Sequence, residues 1–160
     1  MPCDAGTYLE DNGTAATYHN SKGNCIGCQA GMYSESSAGK CNICSSGTWS
    51  NKLAPKCKKC VAGKYLEDES TNAELHDDIT DCLTCLPGTY SILGSKLCNI
   101  CKSGRYSLGS AASCNNCTAG TFLFDNSLTR EAHDSIDKCN VCRGGKYSGG
   151  TIWAPDTNKT

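Results

Sequence analysis

Sulfur is the chemistry that stands out in this sequence. Fifteen of its 160 residues are cysteine, and fourteen of them form seven Cys-x-x-Cys pairs, ending at Cys28, Cys44, Cys60, Cys85, Cys101, Cys117 and Cys142, while Cys3 stands alone. Such pairs serve thiol redox catalysis, zinc binding or disulfide formation. Redox catalysis needs one activated thiolate at the start of a helix within a strand–helix–strand frame. Seven tandem copies in a chain with no sustained 3.6-residue period offer no such setting, and the expectation is that the protein is not an enzyme. Zinc is the second reading: Cys25, Cys28, Cys41 and Cys44 come close to four-thiolate spacing. Against it, Cys3 and the pair Cys139/Cys142 lack a full partner set, and alternating gaps of 12 and 21 residues would be required. The residue after each second cysteine is also never the glycine usual in zinc knuckles.

The oxidised reading pairs each module-opening cysteine with the first cysteine of the next doublet. The bridges are then Cys3–Cys25, Cys28–Cys41, Cys44–Cys57, Cys60–Cys82, Cys85–Cys98, Cys101–Cys114 and Cys117–Cys139. Cys142 is left unpaired within the chain, since its partner position is Pro155. Bonding within each doublet is the alternative; it makes tight rings and constrains no long loop. A bridge closing a loop of the longer kind contributes roughly 3 kcal/mol in the chain-entropy picture.

Other side chains suggest less. Asp11 with His19, Asp68 with His76 and Asp125 with His133 recur eight residues apart, with Asp77, Asp78, Asp81, Asp134 and Asp137 nearby. These could ligate a metal, but no Asp-rich calcium loop is present. The plainer role is hydrogen bonding to backbone groups that fixes a loop, so no metal and no cofactor is expected. No serine or cysteine outside the repeat positions has a histidine and an orienting group beside it, and no catalytic residue is assigned. Asn12, Asn116 and Asn158 head N-glycosylation sequons, the one at Asn116 having Cys117 at its centre. With 31 Ser and Thr, O-linked sugars are a further expectation.

The elements that hold these groups are legible as repeats. After Cys3 and after each second cysteine comes x-x-Gly-x-aromatic, eight times: Gly6, Gly31, Gly47, Gly63, Gly88, Gly104, Gly120 and Gly145 are followed two residues on by Tyr8, Tyr33, Trp49, Tyr65, Tyr90, Tyr106, Phe122 and Tyr147. We number these modules one to eight. Their spacing runs 25, 16, 16 twice and then 25, a superrepeat of 57 residues opened by Cys3, Cys60 and Cys117. The domains expected are residues 1–59, 60–116 and an incomplete 117–160 with a divergent tail, in which Pro155 and Asn158 replace cysteines. The chain begins and ends mid-pattern, as a piece of a longer array does, or one whose last module differs.

Leu, Ile, Val and Phe make up about 14% of the chain, too little for an oily core. Breakers every 16 residues or so favour short strands, such as 64–67 and 104–107, over helices, with Ser127–Ile136 the one helix candidate. The recurring glycine implies positive φ or a close approach by another segment, and the recurring aromatic is expected to pack on the neighbouring bridge. The expected fold is an elongated linear array of small disulfide-rich repeats, short β-hairpins and loops with little or no helix. A net charge of −1 argues against nucleic acid as a partner. No stretch is long and apolar enough for a membrane span, and no signal-peptide pattern follows Met1.

The pattern Cys-x-x-Cys-x-x-Gly-x-Tyr-Ser, seen at Cys82–Ser91 and Cys98–Ser107, resembles the ephrin-receptor-like, GCC2/GCC3-type repeat. It is similar too to the A1 module of tumour-necrosis-factor-receptor cysteine-rich domains. The resemblance spans Cys3 to Ser148, departs from the family in the nine-residue insertions and the tail, and carries no single activity. It implies the longer-loop pairing, a mostly non-helical rod and an extracellular or cell-surface setting. The function expected is that of a stalk, surface coat or filament component that assembles head to tail, with further copies of the repeat and glycans as partners. A ligand-binding receptor ectodomain is the alternative, with Trp153 and the Phe122/Phe124 pair as candidate contacts. A zinc-binding scaffold is the second alternative.

Overall fold

A computed structural model describes residues 2–10, 21–124 and 129–144. It consists of seven two-stranded antiparallel hairpins built from fourteen strands of two residues each. In chain order these are β1 (Thr7–Tyr8), β2 (Ile26–Gly27), β3 (Met32–Tyr33), β4 (Asn42–Ile43), β5 (Thr48–Trp49), β6 (Lys58–Lys59) and β7 (Lys64–Tyr65). They continue as β8 (Leu83–Thr84), β9 (Thr89–Tyr90), β10 (Asn99–Ile100), β11 (Arg105–Tyr106), β12 (Asn115–Asn116), β13 (Thr121–Phe122) and β14 (Asn140–Val141). Each odd-numbered strand pairs with the next even one.

The module motif builds one hairpin by simple means. After the opening cysteine the chain turns back: the Thr7 amide donates to the Asp4 carbonyl at 3.1 Å, and the Thr48 amide to the Ser45 carbonyl at 3.0 Å. The third residue of that turn is the motif glycine, at φ +87° for Gly6 and +73° for Gly47. Positive φ at this place is what a type II turn demands, and glycine supplies it without strain. Threonine often follows, and its hydroxyl returns to the turn's first carbonyl, as from Thr89 to Leu86 at 2.7 Å. The aromatic then closes the first strand, and the residues just after the next cysteine form the second, with Thr7 opposite Gly27 and Tyr8 opposite Ile26. The strands are half the length expected at 64–67 and 104–107. The residue after the aromatic turns its backbone to the next module and leaves the hairpin.

Helical structure among the described residues is confined to single 3-10 turns. Lys22–Asn24, Ala73–Leu75, Ile79–Asp81, Arg130–Ala132 and Ile136–Lys138 all fall in the long modules. The helix candidate Ser127–Ile136 is therefore corrected: its described part holds the Arg130–Ala132 turn and the start of Ile136–Lys138, while Ser127 and Leu128 lie outside the described residues. Two separate caps divide the segment, since Thr129 and Ser135 are both extended before their turns, at ψ 130° and 154°. A run of 3.6-residue helix cannot pass through an extended Ser135.

Residue contacts divide the chain into two compact units. The first contains Met1–Val61, Tyr65–Leu83 and Gly94–Lys96; the second contains Ala62–Lys64, Thr84–Leu93 and Leu97–Thr160. The interior of each is made of sulfur and small polar groups. Cys3, Cys28, Cys44, Cys60, Cys82, Cys85, Cys101 and Cys117 are all buried, joined by few hydrocarbon side chains, chiefly Leu66 and Leu123. The seven described recurring aromatics, Tyr8 to Phe122, are half-buried, and Trp49 packs beside the cluster of Cys60, Leu66 and Cys82.

Candidate functional site

Each hairpin carries one disulfide, from the cysteine that opens its module to the cysteine just before its second strand. The bridges are Cys3–Cys25, Cys28–Cys41, Cys44–Cys57, Cys60–Cys82, Cys85–Cys98, Cys101–Cys114 and Cys117–Cys139. They close loops of two sizes, 13 and 22 residues apart in sequence. Cys142 is a free thiol, partly exposed. The four thiolates of the zinc reading are bonded elsewhere: Cys28 to Cys41, Cys25 to Cys3 and Cys44 to Cys57. Three separate bridges take the sulfurs that one ion would need.

Between consecutive modules the backbone forms a repeated rung. The motif glycine donates its amide to the residue after the next aromatic: Gly6 to Ser34 at 2.9 Å, Gly31 to Ser50 at 2.8 Å, Gly63 to Ser91 at 2.9 Å, Gly88 to Ser107 at 2.9 Å. That same residue carries a second bond on its side chain. Ser34 Oγ donates to the Thr7 carbonyl at 2.9 Å, Ser50 Oγ to Met32 at 2.9 Å, Ser91 Oγ to Lys64 at 2.8 Å and Ser107 Oγ to Thr89 at 2.7 Å. All four serines are fully buried. In these four rungs a parallel bridge runs from the aromatic to the next module's turn: Tyr8 to Ala38, Tyr33 to Ala54, Tyr65 to Ser95 and Tyr90 to Ala111.

In the long modules the residue after the aromatic is leucine, Leu66 or Leu123, which has no hydroxyl to give. Histidine takes over. His76 Nδ1 donates to the Thr48 carbonyl at 2.7 Å and His133 Nδ1 to the Arg105 carbonyl at 2.8 Å. Both rings are buried, at 0% and 1% exposure, which for so polar a group requires that its nitrogens be met. Their backbones serve as well, His76 O accepting from the Ser50 amide at 2.9 Å and His133 O from Ser107 at 3.0 Å. The nine-residue insertion therefore carries the donor that its module's leucine lacks.

Asp68 holds the His76 ring in place, its Oδ2 3.0 Å from Nε2. The carboxylate is gripped by the Thr71 hydroxyl, by the Thr71 amide at 2.9 Å and by the Asn72 amide at 3.3 Å. The Thr71 hydroxyl above all, with these amides and His76, holds the Asp68 carboxyl well below the usual carboxylate range. Asp78 is likewise lowered, by the Thr80 amide and hydroxyl it accepts, and it forms a reciprocal cap with Asp81 across the Ile79–Asp81 turn. Asp134 Oδ1 lies 3.9 Å from Lys138 Nζ. Among the described residues no three His, Cys, Asp or Glu side chains converge as a metal site would require. Asp11, His19 and Asp125 lie outside the described residues.

The remaining candidate residues are scattered. Asn116 stands exposed in β12, with exposed Thr118 beyond the bridged Cys117. Phe124 is exposed at 67%, whereas Phe122 is half-buried in β13. Asn12, Trp153 and Asn158 lie outside the described residues. The buried serines are the site residues that sequence reasoning passed over, although the signal was there. Serine follows the aromatic in modules two, three, five and six, and leucine follows it in modules one, four and seven.

No protein-family model matches the chain, and no curated protein matches it. The structure alone defines a small disulfide-rich repeat of β-hairpins. Seven bridges point to an oxidising environment such as that outside the cell. No helix among the described residues is long and apolar enough to cross a membrane.

Proposed function

We propose that this chain is a non-enzymatic, extracellular or cell-surface structural protein, the repeating part of a stalk, coat or filament that assembles head to tail. The observation that carries the reading is the rung. Every buried side-chain polar atom in the described residues has a partner, and serines and histidines are spent on joining module to module. The serine hydroxyls and the histidine Nδ1 atoms are turned onto backbone carbonyls, and His76 Nε2 onto the Asp68 carboxylate. Repeats that bond only to near neighbours are suited to extension by addition, and a heterologous contact that does not close yields a filament. The exposed sequon at Asn116 suits N-glycosylation of such a surface. The resemblance to ephrin-receptor-like and tumour-necrosis-factor-receptor-like repeats supports the same setting.

A receptor ectodomain is the second reading, favoured by exposed Phe124, because interface hot spots centre on such aromatic anchors. Electron microscopy of native material at high concentration separates the two. Filaments or regular arrays are expected, and dispersed single molecules throughout would contradict assembly.

A further inference from the structure

His76 stands where modules three and four meet. Its backbone carbonyl accepts the Ser50 amide at 2.9 Å. Its ring is fully buried, and both nitrogens face oxygens: Nδ1 the Thr48 carbonyl at 2.7 Å and Nε2 the Asp68 Oδ2 at 3.0 Å. A carbonyl oxygen can only accept, and so can an ionised carboxylate. Asp68 is ionised, because the Thr71 hydroxyl above all, with the Thr71 and Asn72 amides, holds its carboxyl well below the usual range. A neutral imidazole has one N–H, and two acceptors need two.

The surroundings match a cation. Residues 67–81 hold seven Asp and Glu and no Lys or Arg. Glu67, Glu69, Glu74, Asp77 and Asp78 are exposed, with Glu69 reaching Lys96, while Asp81 caps the Asp78 amide. Across the joint, β6 pairs with β5 and brings Lys58 and Lys59, both exposed, with Lys58 4.8 Å over the Trp49 ring. Of these charges, among the described residues, Asp68 alone bonds the imidazole.

We propose that His76 is a buried imidazolium latch: protonated on both nitrogens it fastens the module-four insertion to module three, and loss of its second proton releases that joint. Neither neutral tautomer closes both ends. With the proton kept on Nδ1, the Nε2 lone pair faces the Asp68 carboxylate. With it kept on Nε2, the Nδ1 lone pair faces the Thr48 carbonyl. Either way two lone pairs oppose each other at a buried ring, where an unmet polar atom is costly. The joint is firm at neutral pH and loosens towards alkaline pH, the side opposite to the acid loss that protonation of Asp68 brings.

The test uses the disulfide-bonded 160-residue chain, labelled with nitrogen-15, and the same chain carrying Asp68→Asn. Asparagine keeps the shape and turns an N–H onto a neutral Nε2, so it meets the ring without the second proton. Nuclear magnetic resonance from pH 5 to pH 10 reads the protonation of each assigned imidazole nitrogen. Hydrogen exchange, corrected for its intrinsic pH dependence, reads opening at the Ser50 amide. In the parent both His76 nitrogens are expected to carry protons at pH 7, where a free histidine is mostly neutral. As the second proton leaves, opening at Ser50 should rise about tenfold or more, the size that loss of one bond to a charged group gives. In Asp68→Asn the ring should carry one proton at pH 7, and the alkaline rise at Ser50 should vanish. A parent ring with a single proton at pH 7 beside a protected Ser50 amide overturns the inference, as does loss of the second proton with no change at Ser50. An equal rise at the Cys28 amide, which bonds Gly6 within module one, would mean that the whole unit loosens and overturns it too.

Discussion

At the scale of the residue, the chain solves the problem of a nearly oil-free interior with donors that match backbone acceptors. Ser50 and His76 do equivalent work in short and long modules, one through a hydroxyl 2.9 Å from the Met32 carbonyl, the other through Nδ1 2.7 Å from that of Thr48. Their removal should differ in cost. Ser50→Ala leaves one buried carbonyl short of a donor and should destabilise by about 1 kcal/mol. His76→Ala also opens a cavity and strands Asp68, and should cost about 3 kcal/mol or more; chemical denaturation with the bridges intact reads both. The Asp68 carboxyl is held low in the folded chain, chiefly by Thr71. The unfolded chain therefore binds its proton first on acidification. The stabilisation is complete above the ordinary carboxylate value of about 4 and is lost as pH falls below it towards the folded value. Thermal melts from pH 6 down to pH 2 should show this acid loss shrink in Asp68→Asn; an unchanged acid limb would contradict the assignment.

At the scale of the element, the hairpins are as short as a hairpin gets, and two strand residues per side are not stable alone in water. Each is fixed by its bridge and by the rung to its neighbour. Separating Cys85 from Cys98 by the double change to serine should cost roughly 3 kcal/mol and make the turn at Gly94–Ser95 the first site of proteolytic cutting; limited proteolysis followed by mass spectrometry locates the cut. Much of this level was legible in the sequence, and the reasons are particular. Gly6 and its equivalents announce a backbone at positive φ or a close approach by another segment, and the cysteine spacing announces closed loops. The strand ends were not legible, because nothing in Lys64–Glu67 signals that Leu66 turns to bond Gly47 and Ser95 in other modules. Nor does local pattern show that Ser135 caps a fresh turn and so splits the helix expected over Ser127–Ile136. The pairing of Asp68 with His76 was visible as an eight-residue recurrence, but its target, the Thr48 carbonyl 28 residues away, belongs to tertiary structure.

At the scale of the whole molecule, cohesion comes from covalent closure of each module and from polar rungs inside each compact unit. Small hydrophobic side chains supply little: Leu86, Ile92, Leu93 and Leu108 are all exposed. Reduction should therefore unfold the chain under conditions where the oxidised form persists, and cooling or mild apolar cosolvent should matter less than a reductant. The most direct test is to count thiols by mass before and after reduction. The account predicts that iodoacetamide labels one cysteine, Cys142, in the native protein, and all fifteen after reduction, with fourteen hydrogens gained in between for the seven bridges. Fifteen labelled thiols before any reductant is added, or bound zinc released on labelling, would contradict it.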